Sequence, residues 1–286
     1  MGPIGPQRAC RLLFLLLLAV PAHCQRTQSA NGAPASLFSQ SAAEILRRDF
    51  AKTGTSYLLL DAKTGVVLAS RWDYPEKPIP MGSLVKPFTA LAYAQAHDFR
   101  YPLYECKGKS NGCWQPRPHG KLDITAAVSL SCNAYFRRLA ENVTLEQLRP
   151  VALAFGLEFP DPGSTSATLF GLGDQWRISP MHLAQAYLEL NRRKNQPGVS
   201  QILEGMTQSA QSGTGAAVDR QLKRAKALVK TGTAPCTHSP GAPADGFVVA
   251  LVPEDQPEIL LFVRIHGVAG AKAAETAGQM LREMEE

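Results

Sequence analysis

Strand-like segments sit at the two ends of this chain, and the middle is helical. "TSYLLLDA" and "GVVLASRW" come early, joined by Lys63-Thr64-Gly65; "AKALVKTGT", "GFVVALV" and "EILLFVRI" come late. Such short apolar runs bounded by turn residues read as strands. Residues 41–51 have apolar positions at helical spacing, and from about residue 81 to 214 that spacing dominates, as in "HLAQAYLELNRR"; "AKAAETAGQMLREMEE" closes the chain as a helix. A strand must bury its apolar face against another element, so early and late strands are expected to share one sheet. The spacing predicts an α+β fold: an antiparallel sheet of about five strands flanked by helices, with a mostly helical inserted lobe. The 286 residues, 45% of them hydrophobic, suffice for such a two-lobed domain.

The first residues do not fit that core. Arg8 and Arg11 precede "LLFLLLLAV", and Ala22 and Cys24 supply small residues after it. This layout predicts a secretory signal over 1–24, a polar linker over 25–36 and a folded domain over 37–286. The apolar run is shorter than the roughly 20 residues of a membrane-spanning helix. An uncleaved anchor stays open, and His23 argues against lipid attachment at Cys24. The expected location is the periplasm or another extracytoplasmic envelope space. Loss of Arg8 and Arg11 lowers the formal charge from +6 to +4, a balance suited to anionic envelope polymers. Basic residues are not interleaved with aromatics, so no nucleic-acid partner is expected.

Four cysteines follow the leader: Cys106, Cys113, Cys132 and Cys236. In an oxidising compartment, Cys106 and Cys113 around "KGKSNG" predict a disulfide that staples a hairpin. Adding His119 yields three candidate zinc ligands, but sequence spacing identifies no fourth, and no metal is expected. Cys132 and Cys236 each flank a motif described below, and their mutual approach stays open.

Lys-Thr-Gly occurs three times. Lys63-Thr64-Gly65 stands where a hairpin needs a turn, and Lys52-Thr53-Gly54 where a helix ends. Only Lys230-Thr231-Gly232 lies late on a strand, followed by Thr233. Among the serines, Ser83 alone has a lysine three residues on, in "MGSLVKPFTALAYAQA". At the start of a helix that spacing puts Ser83 and Lys86 on one face. A lysine takes a serine proton only when burial or a second cation depresses its pKa, and Lys230 is a candidate for that cation. Ser-x-Asn occurs as Ser29-Ala30-Asn31 and as Ser131-Cys132-Asn133. Serine acyl-transfer enzymes carry S-x-x-K, S-x-N and K-T-G elements together. In that order one combination survives: Ser83/Lys86, Ser131/Asn133 and Lys230/Thr231/Gly232.

The sequence resembles the transpeptidase domain of penicillin-binding proteins. "GSLVKPFTALAY", "HGKLDITAAVSLSCNAYF", "GLGDQWRISPMHLAQAY", "EGMTQSAQSGTG" and "VKTGTAP" look like family segments in family order. The resemblance implies a β-lactamase/transpeptidase-like fold, with Ser83 as the acylated nucleophile and Lys86 as its base. It implies that Ser131 relays a proton to the leaving group and that Lys230 sets the electrostatics. Asn133, Thr231, Gly232 and Thr233 would bind substrate, and the amides of Ser83 and Thr233 would form the oxyanion hole. The implied partners are peptidoglycan stem peptides ending in D-Ala-D-Ala, and β-lactams, with neither a metal nor an organic cofactor; protein partners are not implied. The long N-terminal region and glycosyltransferase domain of larger members are not expected in these 286 residues, so a D,D-carboxypeptidase is expected as readily as a D,D-transpeptidase.

Three other readings compete. "GKSNG" fits a nucleophile elbow on Ser110, but "CWQPRPHG" puts two prolines where its helix should be. A class D-like serine β-lactamase shares the nucleophile and the Lys-Thr-Gly strand. A non-catalytic β-lactam or peptidoglycan sensor would keep the fold while losing a motif.

Overall fold

The structure is a computed structural model that describes residues 1–2, 37–50, 55–237 and 243–285. The expected signal and linker, and Lys52-Thr53-Gly54, lie outside the described residues. The chain divides into Met1–Ala33 and Pro34–Glu286, and the fold is that of the second unit.

Helix α1 (Leu37–Asp49) leads to strands β1 (Ser56–Asp61) and β2 (Val67–Arg71). In the turn between them, Asp61 Oδ1 accepts from the amides of Lys63 and Thr64, and Gly65 has φ 75°. That second Lys-Thr-Gly copy is a hairpin turn, as its glycine suggests. Strand β3 (Ile79–Pro80) precedes a 3₁₀ turn (Gly82–Val85) and α2 (Lys86–Ala96). Strands β4 (Tyr104–Cys106) and β5 (Gly120–Leu122) form a small hairpin. Helices α3 (Ile124–Ser129), α4 (Asn133–Ala140), α5 (Leu145–Ala154) and α6 (Ser166–Leu169) follow. Next come β6 (Arg177–Ile178), which pairs with β3, then α7 (Pro180–Arg192), α8 (Val199–Gln211) and α9 (Ala216–Gln221). Strands β7 (Leu228–Ala234), β8 (Asp245–Val252) and β9 (Ile259–His266) return to the sheet, and α10 (Gly270–Glu285) closes the fold.

The early and late strands form one antiparallel five-stranded sheet in the order β2-β1-β9-β8-β7. The α+β architecture and the split sheet agree with the spacing of the apolar segments. Strand β8 is buried along its whole length because both faces of the sheet are covered. Successive side chains alternate between two cores, as the pleat requires. Leu58, Leu60, Phe247, Val249, Leu260 and Phe262 face the helical lobe. Tyr57, Leu59, Val248, Ala250, Leu261 and Val263 pack against α1 and α10 through Ala42, Leu46, Ala277 and Met280. A one-residue slip of β8 would exchange these sets and put Phe247 where Val248 fits. The sheet is thus fixed in register where β7, an edge strand, carries Lys230-Thr231-Gly232 to its border with the lobe.

Candidate active site

Three short segments meet beside the free edge of β7. The first is the 3₁₀ turn Gly82–Val85, in which residues three apart stack on one side, so Ser83 stands over Lys86 at the first position of α2. The sequence predicts an α-helical first turn here; the tighter turn keeps the same facing. Gly82 has φ 56°, and a Cβ there would lie 2.1 Å from the Thr233 carbonyl oxygen. A Cβ on Gly232 would lie 2.8 Å from the Met81 carbonyl oxygen. Only glycine at both positions lets the serine turn and β7 touch backbone to backbone.

The second segment links α3 to α4. Asp123 caps α3 by accepting from the Ala126 amide at 2.8 Å. The helix ends with Ser131 at φ 50°, a left-handed conformation that costs a non-glycine residue about 1–2 kcal/mol. The Cys132 amide returns to the Ala127 carbonyl at 3.0 Å, and Asn133 opens α4. This sharp reversal aims Ser131 and Asn133 at the same point.

That point is Lys86 Nζ. It donates to the Ser131 carbonyl at 2.8 Å, to Asn133 Oδ1 at 2.6 Å and to Ser131 Oγ at 3.4 Å. From the third segment, Lys230 Nζ donates to Ser131 Oγ at 2.9 Å and to the Thr231 carbonyl at 2.7 Å. Both lysines are 0% exposed. Burial pulls the Lys86 pKa from 10.5 to about 7. Lys230 is also driven well below its ordinary value, by burial first and then by the Lys86 ammonium. Burial is the first cause for both lysines, and because they share one hydroxyl their mutual repulsion disfavours the state in which both are charged.

Above the lysines is a cavity of about 400 Å³ lined by Ser83, Ser131, Asn133, Thr231, Gly232 and Thr233, together with Trp114, Leu172 and Thr214. All eight residues predicted from sequence are thus brought together, six in the wall and two beneath it. Among the described residues no hydrogen bond engages Ser83 Oγ. Thr231 Oγ1 donates to Thr214 Oγ1 at 2.7 Å, and Thr233 Oγ1 accepts from the Gly270 amide at 2.9 Å. Sequence reasoning missed Thr214, although it lies in "EGMTQSAQSGTG", because nothing local marks its contact with β7. It also missed Trp114, half exposed at the cavity rim. Ser110 is elsewhere, donating to the Lys107 carbonyl at 2.9 Å in the exposed turn Gly108–Asn111.

Behind the Ser131-Cys132-Asn133 turn lies a cluster of sulfurs. Cys106 and Cys113 are free thiols, so the predicted disulfide between them is corrected. His119 Nδ1 stands between them, 3.5 Å from Cys106 Sγ and 3.6 Å from Cys113 Sγ. Cys132 Sγ lies 3.8 Å from Cys113 Sγ, and one ligand atom from each of the four residues falls within 4.8 Å of all the others. Cys132 thus supplies the fourth candidate ligand that sequence spacing did not identify. It does not pair with Cys236, whose sulfur groups instead with Asp245 and His266.

Residues 55–284 match the family described as the penicillin binding protein transpeptidase domain. No curated protein sequence matches the chain. Among solved structures, PBP2 of Pseudomonas aeruginosa in complex with WCK 5153 is similar at a TM-score of 0.69 and 18% identity, over 88% of this chain and 74% of that one. The PBP2 of Helicobacter pylori, solved with MreC, gives a TM-score of 0.69 at 15% identity, over 87% of this chain and 62% of its own. The transpeptidase domain of Burkholderia pseudomallei penicillin-binding protein 3 gives 0.60 at 17% identity, over 86% of this chain and 92% of its own. At these identities the structural likeness establishes the fold.

Proposed function

Because the chain belongs to the penicillin binding protein transpeptidase family, we propose that it acts on the D-Ala-D-Ala end of peptidoglycan stem peptides through an acyl-enzyme on Ser83. The observation that carries this reading is the convergence of two buried lysines on Ser131 Oγ beneath a cavity walled by Ser83, Asn133 and β7.

With a pKa near 7, a large share of Lys86 is free amine at neutral pH. That amine directs its two N–H bonds to the Ser131 carbonyl and Asn133 Oδ1 and keeps a lone pair for a proton. Ser83 Oγ attacks the carbonyl carbon of the penultimate D-Ala as its proton passes to Lys86. The oxyanion is held by the amides of Ser83 and Thr233, a pair of fixed donors. Ser131 Oγ, bridging Lys86 and Lys230, hands a proton to the departing D-Ala nitrogen, which breaks the peptide bond. Water or an acceptor amine then attacks the ester and restores Ser83. The Oδ1 of Asn133 is engaged by Lys86, so its NH₂ is the group offered to substrate. Thr231 and Thr233 take the terminal carboxylate, and the free edge of β7 takes an extended peptide. Activity in an extracytoplasmic space is part of this proposal; among the described residues no helix is long and apolar enough to cross a membrane.

Intact-mass spectrometry with benzylpenicillin tests the assignment. The wild type and Ser110→Ala gain one penicilloyl group that persists for many minutes, and Ser83→Ala gains none. Retained labelling in folded Ser83→Ala removes the nucleophile, and rapid loss of the adduct with sustained nitrocefin hydrolysis makes the protein a β-lactamase.

A further inference from the structure

We propose that Cys106, Cys113, His119 and Cys132 bind one zinc ion that clasps the β4–β5 hairpin to the Ser131-Cys132-Asn133 turn. A tetrahedral zinc with bonds of about 2.3 Å to sulfur and 2.0–2.1 Å to nitrogen has sulfur–sulfur edges of about 3.8 Å and sulfur–nitrogen edges of about 3.5–3.6 Å. Three of the six edges are 3.8 Å for Cys113–Cys132, and 3.5 and 3.6 Å for His119 with Cys106 and Cys113, and the other three are within 4.8 Å. A disulfide brings two sulfurs to about 2.05 Å and leaves a third thiol over. Three thiolates with one imidazole are a soft donor set that selects zinc over magnesium or calcium. Four protein ligands close the coordination sphere, which marks a structural ion rather than one that activates water.

The surroundings fit an ion as well. All three cysteines are at most 5% exposed, and the Gly108 amide donates to Cys106 Sγ at 3.4 Å, the kind of backbone contact that steadies a metal-bound thiolate. Gly108 has φ 72°, and a Cβ there would lie 2.4 Å from the Pro116 carbonyl oxygen, so glycine lets the loop fold back and bring Cys113 and His119 over Cys106. Cys132 stands between the two residues that meet Lys86. A zinc–sulfur bond at that position holds Ser131 in its left-handed conformation and keeps Ser131 and Asn133 on Lys86. Cys132 is thus a positioning residue, and Trp114 at the cavity rim is carried by the same loop.

The test uses the full chain, loaded with zinc in reducing buffer and desalted, with metal content read by inductively coupled plasma mass spectrometry. One zinc per chain is expected. Cobalt loading should give the intense d–d bands of a tetrahedral centre and a thiolate charge-transfer band. Cys113→Ser and His119→Ala should weaken zinc binding at least tenfold, while Cys236→Ser keeps it. Removing zinc from the wild type should slow penicillin acylation at least tenfold, and zinc should restore it. Wild-type protein without zinc after loading, an octahedral cobalt spectrum, or equal metal loss in Cys236→Ser overturns the site. Unchanged acylation by folded, zinc-free protein overturns the positioning role. Metal content is read without a β-lactam, so failure of the Ser83 assignment would be seen separately.

Discussion

Replacing Lys86 with methionine should abolish acylation and stabilise the protein at neutral pH. The fold holds Lys86 with no exposure to water and lowers its pKa from 10.5 to about 7. Between those values the unfolded chain binds a proton that the folded chain does not, so the wild type is penalised there and gains stability as pH rises. At pH 7 the penalty is roughly 4 kcal/mol, from 1.36 kcal/mol per pH unit less the share recovered by partial protonation in the fold. Methionine removes it at similar volume. Ser131 Oγ keeps the Lys230 donor and Asn133 Oδ1 borders the cavity, so the chief loss is the hydrogen bond to the Ser131 carbonyl, about 1–3 kcal/mol if left unmade. The net gain is about 2 kcal/mol, or about 4–8 °C in melting temperature for a domain of this size. Removing the Lys86 ammonium also relieves Lys230. Urea denaturation of both proteins from pH 6 to pH 9.5 reads the difference. The lead of Lys86→Met should be level below pH 7, shrink above it and vanish near roughly pH 9, where penalty and lost hydrogen bond cancel. A variant less stable than wild type at pH 7, or a gap that does not change between pH 7 and 9, would refute burial as the source of the reactive amine.

Two further perturbations separate chemistry from scaffold. Lys230→Ala should slow penicillin labelling by at least a hundredfold, and Lys63→Ala should leave it within twofold, since Lys63 lies in the β1–β2 turn; stopped-flow labelling measures both, and equal losses would mean general destabilisation. Gly82→Ala forces a Cβ to 2.1 Å from the Thr233 carbonyl at a φ of 56°, so it should lower stability by several kcal/mol, of order 3 or more, and abolish labelling; a melting temperature within about 2 °C of wild type would show that the serine turn and β7 are not in backbone contact.

The amino-acid order alone determined the split sheet, the helical insertion and the choice among three Lys-Thr-Gly copies. Each of these rests on patterns that a chain carries locally: continuous apolar runs in β1, β8 and β9, glycine at a hairpin turn, and the sequence order of Ser83, Ser131 and Lys230. Sequence gave no measure of how the lysines are tuned, because desolvation of Lys86 depends on walls contributed by α2, the α3–α4 turn and β7. The same holds for Thr214, which meets Thr231 only across the cleft between the helical lobe and the sheet edge. The cysteines show the division most clearly. A short loop between Cys106 and Cys113 suggests a bridge, yet the carboxyl end of α3 reverses through a left-handed Ser131 and delivers Cys132 to the same spot. Spacing along the chain counts residues, whereas a tetrahedron of ligand atoms is a distance relation among segments that only packing brings together.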